Sequence, residues 1–114
     1  MKNRFPFQKL KKCLTYLVQV EERLDYKPGQ TIFYEGHYPC GIYVLRKGRI
    51  RLSRKKDNDQ EDLLQIVEPG HVFGEDSYDS EPKPFDCSAQ AETDVSISFF
   101  SGSALKACED LKKY

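Results

Sequence analysis

The residues best equipped for chemistry lie between Gly70 and Ala91, in the stretch GHVFGEDSYDSEPKPFDCSAQA. Gly74 and Glu75 open a polar loop that runs through Asp76 and Ser77 and past Pro82 and Pro84 to Phe85, Asp86 and Ser88. A glutamate that follows a glycine at the start of a loop has two uses. It can accept backbone N–H groups as a structural cap, or accept from a sugar-like hydroxyl. Lys83 is the one cation in the loop.

Other chemistries find less support. His37 and His71 are the only histidines, and a metal site built on both would need a third ligand such as Glu35 or Glu75. No metal is expected. No serine has a base beside it and G-x-S-x-G is absent, so no catalytic residue and no enzyme activity are expected. Cys13, Cys40, Cys87 and Cys108 are widely spaced, without the CxxC of a metal or redox pair, and read as free thiols. Seven cations crowd residues 46–56: Arg46, Lys47, Arg49, Arg51, Arg54, Lys55 and Lys56. The acidic run Asp57, Asp59, Glu61 and Asp62 follows at once, which points to a solvated, partly self-neutralised hairpin rather than a nucleic-acid surface.

The elements that must position the loop can be read from the periodicity. At 114 residues, with 32% charged and 39% hydrophobic residues, the chain fits one soluble domain, 1–114. Formal net charge is zero, so no global field draws it to nucleic acid or to an acidic membrane. No apolar run approaches a membrane span, and no secretory signal is visible, so the chain reads as cytoplasmic. Leu10, Leu14, Leu17, Val18 and Leu24 recur at helical spacing and predict a helix over 7–24. From Tyr26 the period changes to short strands divided by glycine turns, over 26–100. Strands are expected at 31–34, 42–45, 50–54, 63–67, 72–73, 87–91 and 95–100. A capped helix is expected at 103–112, with Ser101 or Ser103 as its cap. The fold class is mainly β: a jelly-roll β-barrel flanked by an N-terminal and a short C-terminal α-helix.

The order of these motifs resembles the cyclic-nucleotide-binding domain of bacterial catabolite-activator-type regulators, protein kinase A regulatory subunits and gated channels. The matching residues are Lys27-Pro28-Gly29-Gln30, Ile32-Phe33, Glu35-Gly36, Ile42-Tyr43-Val44-Leu45, Gly48-Arg49-Ile50, Leu63, Ile66, Pro69-Gly70, Val72 and Phe73-Gly74-Glu75. The resemblance implies a phosphate-binding cassette. In such a cassette backbone amides cradle the cyclic phosphate, the glutamate takes the ribose 2′-hydroxyl, and an arginine pairs with the phosphate. Gly74 and Glu75 match. The arginine position falls on Phe85, and the small polar position after it falls on Asp86. Phe85 has no donor, and Asp86 repels a phosphate.

The resemblance therefore implies a regulatory or sensory domain that has lost cyclic phosphate binding and acts through protein contacts. Its partner would be another protein or a parent multidomain chain. The alternative is a receptor for cAMP, cGMP or another small ligand, with an altered cassette that uses Lys83. On the first reading there is no cofactor. On either, the candidate residues are Gly74, Glu75, Asp76, Ser77, Lys83, Phe85, Asp86 and Ser88. Family regulators add a DNA-binding domain after the barrel, and no recognition helix is found in these 114 residues. Phe85 or Tyr78 is expected to fill the volume a nucleotide would occupy.

Overall fold

The alternation of apolar and polar residues is realised as two antiparallel sheets. A computed structural model describes residues 19–78 and 81–111. In chain order the elements are β1 (Glu22–Tyr26), β2 (Thr31–Phe33), β3 (Gly41–Lys47), β4 (Ile50–Lys55), β5 (Glu61–Val67) and β6 (Val72–Phe73). A 3-10 turn (Glu75–Ser77), β7 (Ser88–Ala91), β8 (Val95–Ser101) and α1 (Gly102–Leu111) complete the chain. One sheet has the order β1-β8-β3-β6 and the other β2-β7-β4-β5. The jelly roll is thus two stacked sheets. Among the described residues no strand pairing joins them into a closed barrel.

The expected helix over 7–24 lies, up to residue 18, outside the described residues. Gln19 and Val20 are helical, but Glu22–Tyr26 is a strand. Leu24, expected at the end of a helical stripe, pairs with Ile97 of β8, and Leu24 and Tyr26 both pack on the core. Five residues of period two were too short to stand out from the spacing before them. At the other end Ser101 is the cap: its Oγ accepts from the backbone N–H of Ala104 at 3.2 Å.

Between the sheets lies one apolar cluster, with Phe33, Leu45, Ile50, Val67, Phe73 and Phe85 among its members. Leu45, Ile50 and Ile97 are fully buried. Each such side chain stabilises the fold by about 1.5–3 kcal/mol relative to an exposed one. A second, smaller cluster lies on the opposite face of the first sheet. There Ile42, Phe100 and Leu105 are buried with Val20, Val44, Val72 and Tyr78 against them.

The basic hairpin is neutralised, but by other partners than the adjacent acidic run alone. Arg49 reaches Glu92 at 3.2 Å, Arg51 reaches Glu92 at 3.4 Å and Glu61 at 3.7 Å, and Arg54 reaches Asp86 at 3.6 Å. Strand pairing of β4 with β7 brings these distant acids alongside. Among the described residues no helix is long and apolar enough to cross a membrane.

Candidate functional site

Gly74 begins the site because the chain must turn sharply out of β6. Its φ is +80°, and a Cβ there would come within 3.2 Å of the Phe33 ring and 3.3 Å of the Tyr43 ring. A side chain at this point would be strained and crowded at once. The 3-10 turn follows, closed by the Tyr78 N–H donating to the Glu75 carbonyl at 3.0 Å. The loop then folds back on itself. The Lys83 N–H donates to the Ser77 carbonyl at 3.2 Å, and Ser77 Oγ donates to the Pro84 carbonyl at 3.5 Å. Two prolines set φ across this return and leave no room for a longer helix.

Phe85 ends the loop and points into the core, with only 4% of its surface exposed. Its ring stacks on Phe33 with centroids 3.8 Å apart and planes 10° from parallel. Its backbone is clamped from both sides by the 34–40 loop: the Gly36 N–H donates to the Phe85 carbonyl at 2.9 Å, and the Phe85 N–H donates to the His37 carbonyl at 2.8 Å.

These residues enclose a cavity of about 400 Å³. Phe33, Leu52, Leu64, Phe73 and Phe85 supply its apolar wall, and Gly74, Glu75, Ser77, Asp86 and Cys87 line the side toward the loop, with Gln65 and His71 also contributing. A cavity of this size, lined by polar and apolar groups in about equal measure, is in the volume range of small-molecule sites. The expectation that an aromatic ring fills it is therefore corrected. Phe85 forms wall, not filling. Tyr78 turns away, into the second apolar cluster.

Of the candidate residues, the structure brings Gly74, Glu75, Ser77, Phe85 and Asp86 to this cavity, and Asp76 lies in the same turn. Lys83 is exposed and does not line it. Ser88 belongs elsewhere. It lies on the outer face of the second sheet, where its Oγ accepts from the Glu35 N–H at 2.9 Å, beside a separate groove shared with Thr31 and Ser53. His37 and His71 do not meet as ligands, and no group of three potential metal ligands exists among the described residues.

One residue was overlooked in the sequence. Arg54 Nε donates to the Asp86 carbonyl at 2.9 Å, and its Nη2 is 3.6 Å from Asp86 Oδ2. A guanidinium supplied by β4 rather than by the cassette loop thus stands beside Asp86, one of the lining residues, without itself lining the cavity. Its signal was the alternation Ile50, Leu52, Arg54, which puts all three on one face of the strand.

Burial pushes the Cys87 thiol up from its ordinary value of 9.0 to about 11, with the Asp86 carboxylate adding to the effect and Arg54 opposing it. Cys87 is buried and Cys40 exposed. At pH 8 a thiol reagent is expected to label Cys40 and to spare Cys87 until the protein unfolds, as read by peptide mass spectrometry. Equal labelling of the two in the folded protein would refute this. The linkage has a definite sign. A folded-state pKa above the unfolded value means that the folded state holds the proton longer. Its stabilising contribution is complete below pH 9 and is lost as the pH climbs toward 11.

Fold and cavity together define a jelly-roll domain of two stacked sheets with a pocket beside its Gly74–Asp86 loop. The sequence pattern described as Cyclic nucleotide-binding domain matches residues 23–110, and the chain belongs to that family. It is 31% identical over 95 residues to a CRP-like cAMP-activated global transcriptional regulator of Mycobacterium tuberculosis, a match covering 83% of this chain and 42% of the relative. A cyclic AMP receptor protein of Thermus thermophilus is 38% identical over 54 residues, covering 47% of this chain and 25% of that protein. Among solved structures, the catabolite activator protein of Thermus thermophilus superposes with a TM-score of 0.73 at 27% identity, over 91% of this chain and 46% of that one. The N-terminal domain of a transcriptional regulator from Streptomyces coelicolor superposes with a TM-score of 0.79 at 23% identity, over 90% and 70%. This chain spans less than half the length of the curated relatives it matches.

Proposed function

We propose that this chain is the sensory domain of a regulator, that its cyclic phosphate recognition has been lost, and that it acts through protein contacts. The observation that carries the reading is the pair Phe85-Asp86. At the position where the family resemblance implies a phosphate-binding arginine, a ring is turned into the core. The next residue brings a carboxylate to the cavity. Among the described residues that line the cavity there is no lysine or arginine, while Glu75 and Asp86 are both acids. A charge-assisted hydrogen bond contributes roughly 1.5–3 kcal/mol, and each 1.4 kcal/mol is about tenfold in affinity. Its loss alone takes a micromolar site some ten- to hundredfold weaker. The output surface would belong to another protein or to further domains of the same regulator, as in the longer relatives.

Calorimetric titration with cAMP and with cGMP tests the reading. No saturable binding tighter than about 50 μM, which is about −5.9 kcal/mol, is expected for either. Binding tighter than that favours the second reading, an authentic cyclic mononucleotide receptor with an altered cassette. That reading draws support from the open cavity of about 400 Å³, where Gly74, Glu75 and Ser77 keep their places. The Mycobacterium tuberculosis relative is described as cAMP-activated.

A further inference from the structure

We propose that Arg54 is the cation of this pocket, and that the Asp86 carboxylate is its built-in counter-ion, held where the anionic group of a ligand would otherwise meet the guanidinium. The proposal rests on the reading that phosphate recognition is silent in the native chain, and it names the cause of the silence.

Three observations carry it. The first is register. Leu52 pairs with Ala89 and Ser53 with Ser88, the last pair of the ladder, and the same register continued by one step sets Arg54 beside Cys87. Alternation then puts Arg54 on the same face of β4 as Leu52, which lines the cavity, as Cys87 does. The second is anchorage. The bond from Nε to the Asp86 carbonyl at 2.9 Å fixes the guanidinium beside Asp86, which lines the cavity, and leaves its two terminal nitrogens for an anion. Nη2 already faces one, Asp86 Oδ2, at 3.6 Å. The third is exposure. The side chains of Arg54 and Asp86 are 44% and 79% exposed, and an ion pair so open to water contributes little to stability. Removing it leaves the fold intact and changes mainly the charge that an incoming ligand meets.

Neighbouring cations do not compete for the role. Arg49 and Arg51 are engaged with Glu92, away from the cavity. A phosphodiester suits the planar fork of a guanidinium better than a point charge. Asp86 denies it that fork by charge rather than by bulk.

The test is a double-mutant cycle on the whole chain, with cAMP as the probe. Binding is read by two-dimensional NMR titration into the low millimolar range, so that weak binding is measured too. Asp86→Asn keeps the shape and removes the charge. It is expected to bind cAMP at least about tenfold tighter than the native chain, a change equivalent to 1.4 kcal/mol. Asp86→Asn combined with Arg54→Gln is expected to fall back to the native level. Adenosine, which lacks the phosphate, is expected to show no gain in either variant.

No gain in Asp86→Asn overturns the proposal. So does a gain that survives Arg54→Gln, or an equal gain for adenosine. Circular dichroism verifies the fold of each variant, and Asp86→Ser with Arg54→Lys provides a second pair should one variant fold poorly. If the native chain binds cAMP below 50 μM, the silent-site reading fails by itself. The cycle still decides whether Arg54 holds the phosphate.

Discussion

Phe85→Ala is expected to lower the unfolding free energy by about 3–5 kcal/mol, the range for truncating a buried aromatic ring. The position leaves little scope for relaxation. The ring stacks face to face on Phe33, and Phe33 in turn lies against Phe73 at 6.0 Å and Tyr43 at 5.4 Å. The Phe85 backbone is tied to Gly36 and His37 by two hydrogen bonds, so the loop does not simply close over the space left behind. The void would merge with a cavity that is already open. A domain of this size has a margin of about 5–15 kcal/mol, so the variant should fold but melt early. Urea denaturation followed by circular dichroism measures the loss. A change of about 0.5 kcal/mol or less, typical of surface substitutions, would put the ring outside the core and remove the basis for reading Phe85 as pocket wall.

Gly48→Ala is the second large effect, and its cause differs. Gly48 turns the β3–β4 hairpin with φ +89°, where an L side chain costs about 1–2 kcal/mol. The new Cβ would also stand 2.2 Å from the carbonyl oxygen of Asp94, a backbone atom of the β7–β8 turn. The two turns are docked together. The Arg49 N–H donates to Thr93 Oγ1 at 3.1 Å, and the Glu92 N–H donates to the Arg49 carbonyl at 2.9 Å. One turn must therefore lift off the other, which adds about 1–3 kcal/mol as overpacking does. A total loss of about 2–5 kcal/mol is expected. Gly29→Ala is the control, since Gly29 has φ +91° with nothing within 4 Å of the added carbon. If both variants lose the same amount in chemical denaturation, the docking of the turns contributes nothing.

Most strands were legible because their side chains alternate and their ends carry glycine or proline. Ala89 and Ala91 on β7, and Val95 and Ile97 on β8, are buried as the period-two pattern requires. The helix at the end was legible from a serine cap, Ser101 or Ser103, of which Ser101 takes the role. What escaped depends on partners distant in the chain. β1 is a strand because β8 is there to pair with it, and its five residues carry too little signal of their own. Whether Phe85 faced in or out could not be read from a loop with two prolines, where no period operates. The Arg54–Asp86 contact joins residues 32 positions apart, and counting cations along the cassette loop missed it because the cation comes from another strand.

Along residues 42–45 of β3 the first sheet is apolar on both of its sides, and this divides the chain's freedom to vary. On β3 the successive residues Ile42, Tyr43, Val44 and Leu45 pack in turn against one cluster and then the other. A polar replacement at any of the four strands a group in an apolar layer. On β4 Arg51 is half-buried against Glu61 and Glu92 and Ser53 is buried, and only the end of the strand, Arg54 and Lys55, is exposed, where drift is cheap. New binding partners are therefore more readily evolved at the exposed end of β4 and its hairpin, while residues 42–45 of β3 are confined to hydrophobic exchange.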